Sequence, residues 1–133
     1  MTKESSRKLA EEVLEIADES LEEAKLLLEA NRLRGAVSRA YYAMFDAGRA
    51  LLYSKGIETK THKGVMSLLG ENFVKTEELD KWFSKAIGNA FELRQASDYE
   101  IEVNLDKEKV EQTVKDAEKF VEGAKNFLNK QPW

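Results

Sequence analysis

Apolar side chains recur every three or four residues along nearly the whole chain, and the only proline is Pro132. That spacing is the period of a helix with one buried face, and no stretch shows the two-residue alternation of a strand. With no proline before the penultimate residue, nothing in the interior interrupts helix hydrogen bonding. The pattern is cleanest near the C-terminus, where Val110, Val114, Ala117, Val121, Ala124 and Leu128 repeat on one face of a helix expected over 107–129. A first helix is expected over 5–29, capped by Ser5 or Ser6, with Leu9, Val13, Ile16, Leu21, Ala24 and Leu28 inward. A second is expected over 34–55, stopped by Gly56 as a left-handed C-terminal residue. A shorter helix is expected over 62–73, and a fourth over 77–96, capped by Thr76, with Leu79, Phe83, Ala86, Ile87 and Ala90 inward. The stretch SDYEIEVNLD, 97–106, breaks the pattern.

Four long amphipathic helices and one short one, joined by short loops, imply an all-α fold: an antiparallel up-and-down four-helix bundle with an additional short helix. A chain of 133 residues reads as one domain, 1–133. The absence of cysteine excludes disulfides, zinc–thiolate sites and thiol nucleophiles. No metal or cofactor site is expected, since the seven glycines form no phosphate loop and the glutamates of the first helix lack a Glu-x-x-His pair. The opening MTKESSRKLAEE is charged from the start, and no apolar run reaches the roughly 18 residues of a membrane span. The expectation is a cytoplasmic protein without a membrane partner.

The second helix, SRAYYAMFDAGRALL at 38–52, carries three distinct faces. Val37, Tyr41, Met44, Phe45, Gly48, Leu51 and Leu52 form a core face, and Ala43, Ala47 and Ala50 a narrow one that permits close helix approach. Arg39, Tyr42, Asp46, Arg49 and Tyr53 form a third stripe. A helix occupied all round is central or at an interface, and an aromatic–arginine stripe has the composition of protein contacts. This predicts an interface, most simply of a homodimer. Charge adds to the case. Residues 32–63 hold seven bases against two acids in a chain of net charge −4, which suits an anion-facing surface.

On the fourth helix Arg94 projects to the apolar side, where a guanidinium needs a partner. Asp98, four residues on, supplies one if the helix continues that far, and Tyr99 comes directly after it. The alternative reading is an arginine held rigid for phosphate. His62, the only histidine, lies between Lys60 and Lys63 and is expected to be a helix-start or solvent-exposed residue.

The order SRAYYAMFDAGRALL, then KTHKG, then Arg94-x-x-x-Asp98-Tyr99 resembles the HEPN domain family across nearly the whole chain. The likeness is strongest to the small stand-alone branch encoded beside minimal nucleotidyltransferases. The resemblance implies a dimerising helical bundle of toxin–antitoxin or nucleic-acid systems. It also implies, in active members, metal-independent RNA cleavage by an arginine with a histidine four to six residues after it. Here no histidine comes after Arg94. Tyr99 is a poor base at neutral pH, and Asp98 is blunted by its pairing. The reading is therefore a non-catalytic interaction module, the dimeric partner of a nucleotidyltransferase, with Arg39, Tyr42, Arg49, Tyr53, His62 and Lys63 as binding residues. The alternative is a weak ribonuclease or an RNA- or nucleotide-binding protein using Arg94, with Asp98 and Tyr99 as further catalytic candidates. A third reading is a small-molecule pocket lined by Tyr41, Tyr42 and Trp82.

Overall fold

In a computed structural model, which describes residues 2–99 and 104–132, the chain forms five α-helices, and no strand occurs among the described residues. The helices are α1 (Lys3–Glu29), α2 (Leu33–Tyr53), α3 (His62–Leu69), α4 (Trp82–Tyr99) and α5 (Lys107–Asn129), with a wider π-helical turn, Gly70–Val74, continuing α3. The all-α expectation is met. The centre is α2, which packs on α1, α5, α4 and α3 in turn. Its core face is buried as its spacing predicts, and Ala43, Ala47 and Ala50 are fully enclosed. Their counterparts on α1 are Ala10, Ala17 and Ala24, buried at seven-residue intervals. Small side chains on both helices let the backbones approach, and α1–α2 is the most extensive helix pair. Ile16, expected inside, is instead 48% exposed. It stands beside the alanine stripe, and the close approach of α2 leaves the larger side chain outside.

Local chemistry explains the helix ends, some of which differ from expectation. Thr2, not Ser5 or Ser6, caps α1, its hydroxyl accepting the Ser5 N–H at 3.0 Å. Gly56 takes φ of 72°, and the Ile57 N–H returns to the Leu52 carbonyl at 3.0 Å, closing α2 as expected. Thr76 does not cap α4. Its hydroxyl donates back to the carbonyls of Asn72 and Phe73, finishing the preceding turn. Glu77 then takes φ of 63°, a left-handed conformation no helix start accepts. So α4 begins five residues late, at Trp82, whose N–H is received by Asp80 Oδ1 at 2.8 Å. Leu79 accordingly lies ahead of the helix. At its other end α4 runs past Ala96 to Tyr99, so the expected break at Ser97 falls within the helix. The inward residues of α5 are all buried, joined by Phe120 and Thr113. Phe120 meets Trp82 and Phe83 in a ring cluster that docks α4 on α5. Gly123 admits the tip of Phe83: a Cβ there would fall 2.6 Å from Phe83 Cζ.

Candidate functional site

Extending α4 through Asp98 completes one turn beyond Arg94 and sets the two side chains face to face. Arg94 Nε lies 3.2 Å from Asp98 Oδ2, at ion-pair distance but out of hydrogen-bonding line, so among the described residues this buried N–H has no hydrogen-bond acceptor. The guanidinium is 16% exposed and lies over the rings of Tyr42 and Tyr41, at 5.0 and 5.7 Å from their centroids. Cation–π contact and the carboxylate together replace the water it has lost. Tyr42 receives a second guanidinium, Arg39, at 5.1 Å, itself 3.8 Å from Glu23.

His62 belongs to the same cluster: it stands at a helix start, as expected, and is half-buried. It is the first residue of α3, after the Thr61 cap, but its ring packs against Tyr41, Tyr42, Phe45 and Phe91 at centroid distances of 5.0 to 6.1 Å. Its Nδ1 lies 2.6 Å from the Tyr41 hydroxyl. Burial, with the positive Arg94 in electrostatic reach, holds the imidazole below its ordinary range near 6.5. Burial also pushes the Tyr41 hydroxyl well above its ordinary 10, outweighing the opposing pull of Arg94, so it stays protonated. Although no histidine comes after Arg94 along α4, the fold returns the only one to it from α3. Separation by more than thirty residues hid this pairing. The available clue was Tyr41, a core-facing tyrosine whose hydroxyl needs a partner.

The remaining sequence-predicted residues divide. Lys63 and Lys60 are exposed beside His62, and Tyr99 is 76% exposed at the end of α4. The stripe expected to face a partner is partly consumed inside the chain. Asp46 and Tyr53 are buried, and Arg49 bonds both, at 3.2 Å to the carboxylate and 3.3 Å to the phenol. Burial raises the Asp46 carboxyl against the opposing pull of Arg49. Arg39, Tyr42 and Arg49 of that stripe are half-buried. Trp82 lies twelve residues before Arg94 on α4, against Phe83 and Phe120, so no pocket joins it to Tyr41 and Tyr42. Arg34 reaches across to the Ser97 carbonyl and ties the start of α2 to the end of α4. Among the described residues no acidic or histidine cluster suits a metal, and no helix is long and apolar enough to cross a membrane.

An α-helical bundle with an arginine and a histidine drawn onto one tyrosine pair defines a class, and comparison with known proteins gives it a name. Residues 10–127 match the HEPN domain model, and the chain belongs to the HEPN family. It is 38% identical over 112 residues to "UPF0332 protein" of Thermotoga maritima, covering 84% of this chain and 85% of that one. It is 36% identical over 118 residues to "Putative toxin MJ0142" of Methanocaldococcus jannaschii, covering 89% and 80%. The same archaeon's "Putative toxin MJ0605" is 36% identical over 116 residues, covering 87% and 86%.

Proposed function

We propose that this chain is the toxin-type member of a two-component pair: a homodimeric helical module whose Arg94 site holds a phosphate of RNA, and which a minimal nucleotidyltransferase engages. The observation that carries the reading is the Arg94 guanidinium, fixed by Asp98 and two tyrosine faces, with a buried N–H that lacks an acceptor among the described residues. A rigid guanidinium beside an imidazole and flanked by Arg39, Lys60 and Lys63 suits phosphate better than it suits plain packing. The relatives whose names carry the word toxin support the system-level part, as does the resemblance to the branch encoded beside nucleotidyltransferases. The chain's overall acidity, net charge −4, suits a basic protein partner and confines RNA contact to the basic site.

His62 favours a second reading, metal-independent RNA cleavage. In that chemistry the ribose 2′-oxygen bonds to phosphorus as the bond to the 5′-oxygen breaks. The 2′ proton passes to a base, and the leaving 5′-oxygen gains one. The roles would fall to His62 for the proton and Arg94 for the phosphate charge.

One set of measurements separates these. Wild type and Arg94→Ala are incubated with single-stranded RNA in EDTA, and affinity is tracked against salt. The binding reading expects intact RNA and an affinity that falls with added salt and is lost in Arg94→Ala, since phosphate contacts release counterions. Cleavage abolished in both Arg94→Ala and His62→Ala establishes the second reading instead. Absence of affinity at low salt overturns both. Light scattering and co-purification with a neighbour-encoded nucleotidyltransferase test the assembly.

A further inference from the structure

The Tyr41–His62 contact bears on what the imidazole can do at that site. Tyr41 has no solvent exposure, and among the described residues its hydroxyl has one hydrogen-bond partner, His62 Nδ1. A short contact between a phenol and a neutral imidazole can be made in two ways. If Nδ1–H donates to the phenol, the phenol's own hydrogen is left among rings, with no acceptor. If the phenol donates to Nδ1, both groups are satisfied and the single imidazole proton sits on Nε2. A buried donor without an acceptor is the costlier arrangement, so the second prevails. We infer that Tyr41 is a positioning residue that locks His62 as a neutral Nε2–H donor, so that the imidazole can hold a phosphate oxygen but cannot take a ribose proton.

The surroundings agree. From α4, Arg94 faces the imidazole and opposes its protonation. From α2 come Tyr41 and Tyr42, with Asp46 in electrostatic reach of Tyr41 but already bonded to Arg49. On the histidine's own segment stand Lys60 and Lys63, both cations. Asp98 is committed to Arg94. Among these groups no free carboxylate stabilises an imidazolium. Protonation would also put a hydrogen on Nδ1, opposite the phenol's, and force Tyr41 to turn in a packed core. The lock explains why an arginine and a histidine share this site in a chain proposed to bind RNA without cutting it. It rests on the reading of Arg94 as a phosphate site only for the ligand, and not for the tautomer.

Because His62 is the only histidine, imidazole nitrogen NMR of the untagged chain reads it without assignment. The expected wild-type spectrum at neutral pH shows Nε2 protonated and Nδ1 as an acceptor, with a titration midpoint below the ordinary range. In Tyr41→Phe the ring stays and the donor goes. The midpoint then rises towards the ordinary value of about 6.5, and the tautomers mix. Protonated Nδ1 in the wild type, or a midpoint unchanged in Tyr41→Phe, overturns the lock. A short oligouridylate added to the wild type is expected to shift the Nε2 signal without being cut. The expected tautomer with no oligonucleotide response keeps the lock and removes the RNA reading. Cleavage of the oligonucleotide in EDTA that His62→Ala abolishes overturns the lock.

Discussion

His62 gives the folded chain a pH signature. Its folded pKa lies below the unfolded value of 6.5, so the unfolded chain binds the proton more readily. The resulting contribution to stability is complete above pH 6.5 and is lost as pH falls from there through the folded pKa. Chemical denaturation of wild type and His62→Gln between pH 5 and 8 is expected to show a decline on the acid side that the variant lacks. Arg94 gives a second expectation. Arg94→Lys keeps the charge but loses the planar stacking on Tyr42 and Tyr41, so it recovers little of the RNA affinity that Arg94→Ala loses. The loss in Arg94→Ala should be at least about tenfold, given roughly 1.5–3 kcal/mol for a hydrogen bond to a charged group. At this scale the sequence offered Asp98 as the partner of Arg94 only if the helix ran past Ala96, and the structure decided that it does. It did not disclose His62 beside Arg94, because nothing local relates α3 to the end of α4.

Between elements, the helix spacings depend on where side chains are small. A Cβ on Gly48 would lie 3.0 Å from Val65 Cγ1, and Val65 is fully buried with a branched side chain that turns poorly. Gly48→Leu therefore overpacks α2 against α3 and is expected to cost about 1–3 kcal/mol or more, read as a lower denaturation midpoint at unchanged slope. Because α3 carries His62, the same variant should also disturb its titration. Glu77 gives the opposite case. Its left-handed backbone strains any side chain, and Glu77→Gly should stabilise by about 1 kcal/mol. Helix number, helix order and the inward faces of α2 and α5 were legible from periodicity, and α5 matched residue for residue. The start of α4 was not, because Thr76 resembles a cap for the next helix while its hydroxyl bonds to the preceding turn. Hydroxyl direction is set by the π-helical turn, which local sequence does not announce.

For the molecule as a whole, α2 is both the structural axis and the wall of the site, so stability and binding are linked. Phe120, fully buried on α5, sits far from Arg94 in the aromatic cluster with Trp82 and Phe83. Phe120→Ala should cost about 3–5 kcal/mol of stability. At temperatures where that variant remains folded, its RNA affinity should match the wild type's, since no site residue is touched. A parallel fall in affinity would mean that the bundle transmits strain from one aromatic cluster to the other. Homodimerisation also belongs to this scale. The Asp46–Arg49–Tyr53 network leaves Arg39 and Tyr42, both half-buried, as the rest of the stripe expected to be a contact surface. A dimer using that face therefore has Arg39→Glu as its sensitive variant, expected to shift the light-scattering mass towards the monomer.

The sequence alone determined the helical class, the order of the helices and the buried faces of α2 and α5, because each depends only on spacing along one helix. Tertiary structure alone decided that His62 and Arg94 share the Tyr41–Tyr42 pair and that Asp46 and Tyr53 of the α2 stripe are buried. Contacts between helices depend on how closely the backbones approach and how side chains pack in three dimensions, and neither is written in the period of any one segment.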